Sequence, residues 1–423
     1  MASIFNITQH KKSKSGLKDP NAEETLLAMW EGKDSSTKTE SVCVRWSNDG
    51  HWLAAGGGDG VVRVFDASNG KHNYQNNLGV ANAPVGTKIN LNEKLPVMAM
   101  RFKPTTNGPG HLRVACADGV IELYDLKTKH SRATTNEVDK ENNNKPNQTL
   151  ALDYHPDGTS WMTGGQDKIV RIYDETDPKV PKREMRGTRA GNSGHSNRIC
   201  AVRFNPDKPT VVASAGLDGT VLLWDTRDRN PEPILSISGV AVAGDAIDFD
   251  KTGKFVLTGS WRPTNQLQVY DIRNVGEPIS EPIMDIPWRR PEKAPSSASK
   301  ARWAIVRESV RGSCNVYGAA YVASGNCAGG IVAGGTGTKE LKVFMPQEGG
   351  VWGGDGMPQP VGVYKVPSGV HGLHVNNTGT LIGVAGVDGS VVAVKMPTPP
   401  GPESSDDAET HAYPVAASAG TAP

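Results

Sequence analysis

Few residues in this chain have the types and spacing that chemistry requires. His371 and His374 stand three apart, as two metal ligands could. A metal site needs three or four ligands, however, and on a strand residues i and i+3 point to opposite faces. Gly334-Gly335-Thr336-Gly337-Thr338-Lys339 has the composition of a phosphate-cradling loop without its spacing, and reads as a hairpin turn. The sequence holds neither a nucleophile elbow (GxSxG) nor an HExxH zinc helix. Aspartates recur in Asp59-Gly60, Asp118-Gly119, Asp218-Gly219 and Asp388-Gly389, where a carboxylate bonding backbone amides in a tight turn accounts for them. The five cysteines lie far apart with no CxxC pair, which predicts reduced thiols rather than a disulfide framework or a zinc site. The expectation is a chain with no enzyme activity, no cofactor and no metal.

The elements carrying these residues repeat. With 48 glycines and 29 prolines, the chain reads as a turn-rich β protein. One unit recurs: an alternating apolar stretch, a polar turn, a small-residue strand, a tight turn, and a strand closing on an aromatic and Asp. It runs from Ser41 to Asp66, then ends at Asp125, Asp174, Asp225 and Asp271, with degenerate copies ending at Phe344 and near Lys395. Period-2 alternation over four to six residues marks strands. A four-stranded sheet cannot bury both faces alone, whereas a ring of them packs face on face. The predicted fold is therefore all-β: a seven-bladed β-propeller with four antiparallel strands per blade. The last unit supplies three strands, so residues 25–30 are assigned as its fourth, closing the ring. A rival reading makes them a short helix capped by Asp19, with Pro20 at its first position and Gly32 at its end.

These units resemble WD40 repeats over residues 25–397. The fourth matches best, with Gly194-His195 before its first strand and Trp224-Asp225 closing its third. The resemblance implies a hydrogen-bonded chain of His195, Ser214, Asp218 and Trp224, in which a buried imidazole and a buried indole N–H each find a partner. Other blades keep the turn aspartate but replace the tryptophan with Phe65, Tyr124 or Tyr173. Arg45, Arg101 and Arg203 recur at one place in the first strands and are read as interblade or rim residues in preference to an anion site. Ala54, Ala55, Ala115 and Ala213 are assigned to the inner positions around the central channel, an apolar lining that argues against catalysis. Trp224-Asp225-Thr226-Arg227, and more weakly Tyr270-Asp271-Ile272-Arg273, resemble the WDxR signature of cullin-4 substrate receptors, in which the arginine faces the ligase adaptor.

Charge and tails bound the partners. There are 46 basic and 45 acidic residues, so phosphate-driven nucleic-acid binding is not expected. Residues 1–24 form a basic tail and residues 398–423 a low-complexity one, both predicted to be disordered. The segment 276–312 is an insertion with a basic excess, in which Ile286-Pro287-Trp288 reads as the outer strand of blade five followed by a solvated loop, with partner contact as the rival reading. Trp288, Arg289, Arg290, Arg302 and Trp303 within it, together with Arg227 and Arg273, are the candidate partner-binding residues. Without a leader or a spanning run, the expected location is the cytoplasm, with cytoskeleton, cilium or nucleus as variants. The expected role is a protein-interaction scaffold, monomeric within a larger complex, with cytoskeletal or ciliary assembly as one setting. A cullin-4 receptor is the alternative. A phosphoinositide-binding propeller is weaker, because Trp288-Arg289-Arg290-Pro291 is a poor substitute for that family's FRRG motif.

Overall fold

The computed structural model describes residues 24–25, 28–33, 39–66, 87–90, 95–104, 110–128, 130–187, 193–230, 232–262, 264–273, 279, 282, 284–286, 288, 314–346 and 359–397. Every regular element among them is a strand. Seven blades follow one another along the chain, each an antiparallel sheet running in sequence order from an inner strand outwards, except that the last takes its outer strand from the N-terminal segment. The inner strands are Ser41–Trp46, Val97–Phe102, Thr149–Tyr154, Ile199–Phe204, Ile247–Phe249, Asn315–Tyr321 and Val370–Val375. The protein is a seven-bladed β-propeller. Turns joining first to second strands lie on one face of the disc, here the lower. Turns joining second to third strands, and connections entering the inner strands, lie on the upper.

Ring closure uses the N-terminal segment as a strand, three residues later than the sequence suggested. Ala28–Lys33 pairs antiparallel with Ser390–Lys395, from Ala28 opposite Val394 to Lys33 opposite Ser390, and completes blade seven. Glu24–Thr25 adds in parallel to the outer strand of blade six, opposite Gly362 and Val363. The helix alternative is overturned, since Gly32 lies within the strand. The outer strand of blade one is Thr87–Asn90, which pairs antiparallel with the third strand from Val61 opposite Asn90 to Val64 opposite Thr87.

The small residues of the second strands allow neighbouring blades to approach. A Cβ on Gly56 would lie 2.6 Å from Val97 Cγ1 of the next inner strand, and one on Gly164 would lie 2.5 Å from Ile199 Cγ2. Such contacts leave no room for a larger side chain. This corrects the sequence reading: Ala54, Ala55, Ala115 and Ala213 belong to second strands buried between sheets, not to the channel wall.

Candidate functional site

The channel wall is made by two positions of each inner strand. The lower holds the penultimate residue of each inner strand: Arg45, Arg101, Asp153, Arg203, Asp248 and His374, with Ala320 in blade six. The upper lies three residues earlier and comes from a recurring bulge. In six blades one extra residue breaks the pairing of inner and second strands, as between Ser41 and Cys43 or between Ile199 and Ala201. A bulge re-aims the extra side chain. Here Val42, Met98, Leu150, Cys200, Tyr317 and His371 turn into an upper funnel of about 590 Å³. Blade five has no such break, and Asp245 stands at the equivalent offset, three residues before Asp248.

Asp245 ties the two levels together. Its carboxylate accepts from Arg203 Nη2 at 2.8 Å and from Arg101 Nη2 at 3.0 Å, and also pairs with Arg45 Nη2. Arg101 Nε donates to Asp153 at 2.9 Å, and Arg203 Nε lies 3.6 Å from Asp248. Backbone amides stitch the ring across blades: Phe204 N donates to Asp153 Oδ2, Tyr321 N to Asp248 Oδ2, and Trp46 N to His374 Nδ1 at 3.1 Å. The cluster separates the funnel from a lower chamber of about 810 Å³. Burial, with Arg101 and Arg203 alongside, holds the Arg45 pKa well below its ordinary value. Burial and Arg203 bring Arg101 down to about 10. Burial and the three guanidiniums push His374 well below the imidazole range, so it stands neutral as an acceptor.

These positions correct two readings. Arg45, Arg101 and Arg203 do reach between blades, as the interblade reading expects, but on the channel wall and not at the rim, so the wall is charged. The wall is not apolar, so its lining excludes no chemistry; its charged groups are paired with one another. Asp153 and Asp248 are not singled out by the sequence and His374 only as a metal-ligand candidate, although their shared offset in the inner strands marks all three. Among the described residues, no group of three His, Cys, Asp or Glu is arranged to hold a metal ion. His371 and His374 engage different partners: His371 Nδ1 lies 3.8 Å from Glu40, at the funnel rim.

The blade-four residues form one chain. Trp224 Nε1 donates to Ser214 Oγ at 2.8 Å, Ser214 meets His195 Nε2 at 2.7 Å, and His195 Nδ1 meets Asp218 Oδ2 at 2.8 Å. Blade three makes the same connection with different chemistry. Glu137, fully buried, accepts from Thr149 Oγ1 at 2.8 Å, Thr163 Oγ1 at 2.5 Å, Tyr173 Oη at 2.9 Å and Asn147 Nδ2 at 3.0 Å. Thr163 and Tyr173 occupy the places of Ser214 and Trp224. Glu137 takes the role of His195 from beyond the outer strand of blade two, His130–Asn136.

Arg227 and Arg273 emerge at equivalent places on the lower face of adjacent blades. Each is clamped by the aspartate two residues earlier: Arg227 Nε and Nη2 reach Asp225 at 3.0 and 2.7 Å, and Arg273 Nε reaches Asp271 at 2.9 Å. Both stay exposed, at 71% and 60% of their side chains. Trp288 does not: it is 3% exposed, packed near Phe344, with Nε1 donating to Thr338 Oγ1 at 3.0 Å. Burial between blades five and six removes it from the partner-binding set and takes the aromatic out of the phosphoinositide reading. Arg289, Arg290, Arg302 and Trp303 lie outside the described residues, as do the tail residues 1–23 and 398–423.

A seven-bladed ring of such units, with the His-Ser-Asp-Trp chain in one of them, defines a WD40 propeller. The chain is a WD40-repeat protein: the model of the "WD domain, G-beta repeat" family matches residues 27–66, 145–174 and 188–225. Its curated relatives include Methylosome protein WDR77 of Xenopus laevis, 32% identical over 118 residues, covering 28% of this chain and 32% of that protein. Protein HIR1 of Yarrowia lipolytica is 25% identical over 248 residues, 56% of this chain and 19% of its own length. Nuclear distribution protein PAC1 of Komagataella phaffii is 26% identical over 189 residues, 41% and 34% respectively. The chain thus spans between about a fifth and a third of these relatives.

Proposed function

We propose that this protein is a non-catalytic interaction scaffold that docks protein partners on the upper face of the propeller. The observation that carries this is the placement of exposed apolar side chains. Among the described residues four large ones are exposed, and three of them, Leu95, Leu217 and Trp261, stand on upper-face loops. The Trp261 ring lies 6.2 Å from Tyr317, which lies 5.4 Å from His371, so aromatic surface runs from the rim into the funnel. An exposed aromatic run that opens into a cavity suits partner docking, in which a few aromatic anchors carry most of the energy. Among the relatives, one is named as a methylosome protein, which agrees with a place in a multi-protein body. We place the scaffold role in the cytoplasm, with cytoskeletal or ciliary assembly as its setting. The test is affinity purification from the native cell of the full chain, the Leu217→Ala/Trp261→Ala variant and a chain lacking residues 289–311. Loss of the main partners in the double variant is expected. Recovery of the same partners would overturn the upper-face assignment.

A second reading rests on the lower face. Two arginines clamped alike on adjacent blades suit recognition by one partner surface, as in a cullin-4 receptor. Arg227→Ala/Arg273→Ala should then abolish co-purification with the cullin adaptor, and undiminished recovery would remove this alternative.

A further inference from the structure

We propose that the three channel arginines form a carboxylate-binding site, that Asp245 is its built-in occupant, and that a partner segment bearing one carboxylate displaces Asp245 through the upper funnel. This deepens the upper-face reading and rests on it. The charge of the wall selects the ligand. The lower ring carries three arginines and two aspartates, and neutral His374 adds nothing. Burial acts against the charged forms of Arg45 and Asp248 alike, one positive and one negative. By formal charge one positive is left over, which one carboxylate balances. In the free protein that carboxylate is supplied by Asp245, the residue that stands where six other blades present a bulged side chain to the funnel. A phosphate dianion would exceed the requirement and face Asp153 and Asp248.

Access comes from the same side. Asp245 has 24% of its side chain exposed, against 4% for Arg45, 11% for Arg101 and 14% for Arg203. The arginines thus lie behind it, already desolvated, where a charge-assisted bond is strong. Arg45 Nε is buried without a hydrogen-bond partner among the described residues, a donor that Asp245 does not reach. Above lie the apolar Val42, Met98 and Leu150, which suit an uncharged peptide stem. An internal competitor lowers the apparent affinity of the incoming group by the fraction of time it is in place.

The test begins without any partner. Asp245→Asn keeps the shape of the side chain and removes its charge, leaving the ring with one unbalanced arginine. Its thermal midpoint should be lower than that of the wild type and rise with acetate along a saturable curve, while chloride at equal ionic strength does little. The wild type should stay flat in acetate, and Asp245→Asn/Arg101→Ala should not respond. If wild type and Asp245→Asn respond alike to acetate, the site is overturned. Displacement is read with a short N-blocked apolar peptide carrying one free C-terminal carboxylate, against its C-terminal amide. Asp245→Asn should bind the acid about tenfold tighter than the wild type does, and the amide weakly. Equal binding of acid and amide, or of variant and wild type, would remove the displacement. Acetate involves no partner, so its failure is distinguishable from failure of the upper-face reading, which the Leu217/Trp261 variant tests.

Discussion

At Ser214 one hydroxyl holds two buried groups, accepting from the Trp224 indole and meeting the His195 imidazole. Trp224→Phe removes one donor together with its need and should cost about 1 kcal/mol beyond the volume change. Ser214→Ala strands two polar groups at once and should cost about 2–4 kcal/mol. Urea unfolding of both variants checks the order, and a milder Ser214→Ala would show that the chain is not cooperative. His374 gives a prediction in pH. Its folded pKa lies well below the unfolded value of about 6.5, because of burial and then Arg45, Arg101 and Arg203. Below the unfolded value the unfolded chain takes up a proton that the folded chain refuses, so stability falls as pH drops from near neutrality. His111 and His371 are lowered as well and contribute in the same direction. His374→Asn, whose amide oxygen still accepts from Trp46, should make the fall in thermal midpoint between pH 7 and pH 5.5 shallower. An unchanged slope would place the acid sensitivity elsewhere.

Between elements, the decisive unit is a polar residue that leaves one blade and enters the next. Glu137 follows the outer strand of blade two and is held by Glu137 N to Gly119 O at 2.9 Å and Asn147 N to Glu137 O at 2.9 Å. Its carboxylate meets four donors in blade three and lies 3.8 Å from Arg171 Nη1. Glu137→Gln sets an amide NH2 against those donors. A loss of about 2–4 kcal/mol is expected, read as a lower urea midpoint with unchanged slope; a neutral result would mean that the network tolerates one donor facing another. This device was not legible in the sequence. The repeat pattern locates strands because period-2 alternation and Asp-Gly turns are local. Glu137 lies 12 residues before its blade's inner strand, beyond the excursion Val138–Asp139 and Lys145–Pro146, and no local rule connects it to Tyr173. The channel was half legible. The recurrence of Arg45, Arg101 and Arg203 at one register position is visible in the sequence, but the side of the strand they face depends on the bulge, a single extra residue that shifts every later side chain. Asp245 was hidden for the same reason: it matters only once its offset from Asp248 is compared with the bulges of the other six blades.

For the whole molecule, closure changes how the repeats share stability. In an open array each unit leans only on its neighbours, and the ends unzip first. Here the chain's first described strands belong to its last two blades: Ala28–Lys33 completes blade seven, and Glu24–Thr25 extends blade six. The inner strand of blade seven also meets blade one, where Arg45 Nη1 donates to Leu373 O at 3.2 Å. The ends are therefore held both by the closing strand and by the channel cluster. Deleting residues 1–33 would leave Ser390–Lys395 with an unpaired edge, which invites pairing with another chain. The truncated protein should unfold at a lower urea concentration, with a broadened transition, and associate on size-exclusion chromatography. Deleting residues 1–20 should leave midpoint and elution unchanged, because both closing strands survive. If the longer deletion also unfolds as the full chain does, closure rests on the channel cluster, and Asp245→Asn combined with that deletion should then open the ring where neither change alone does.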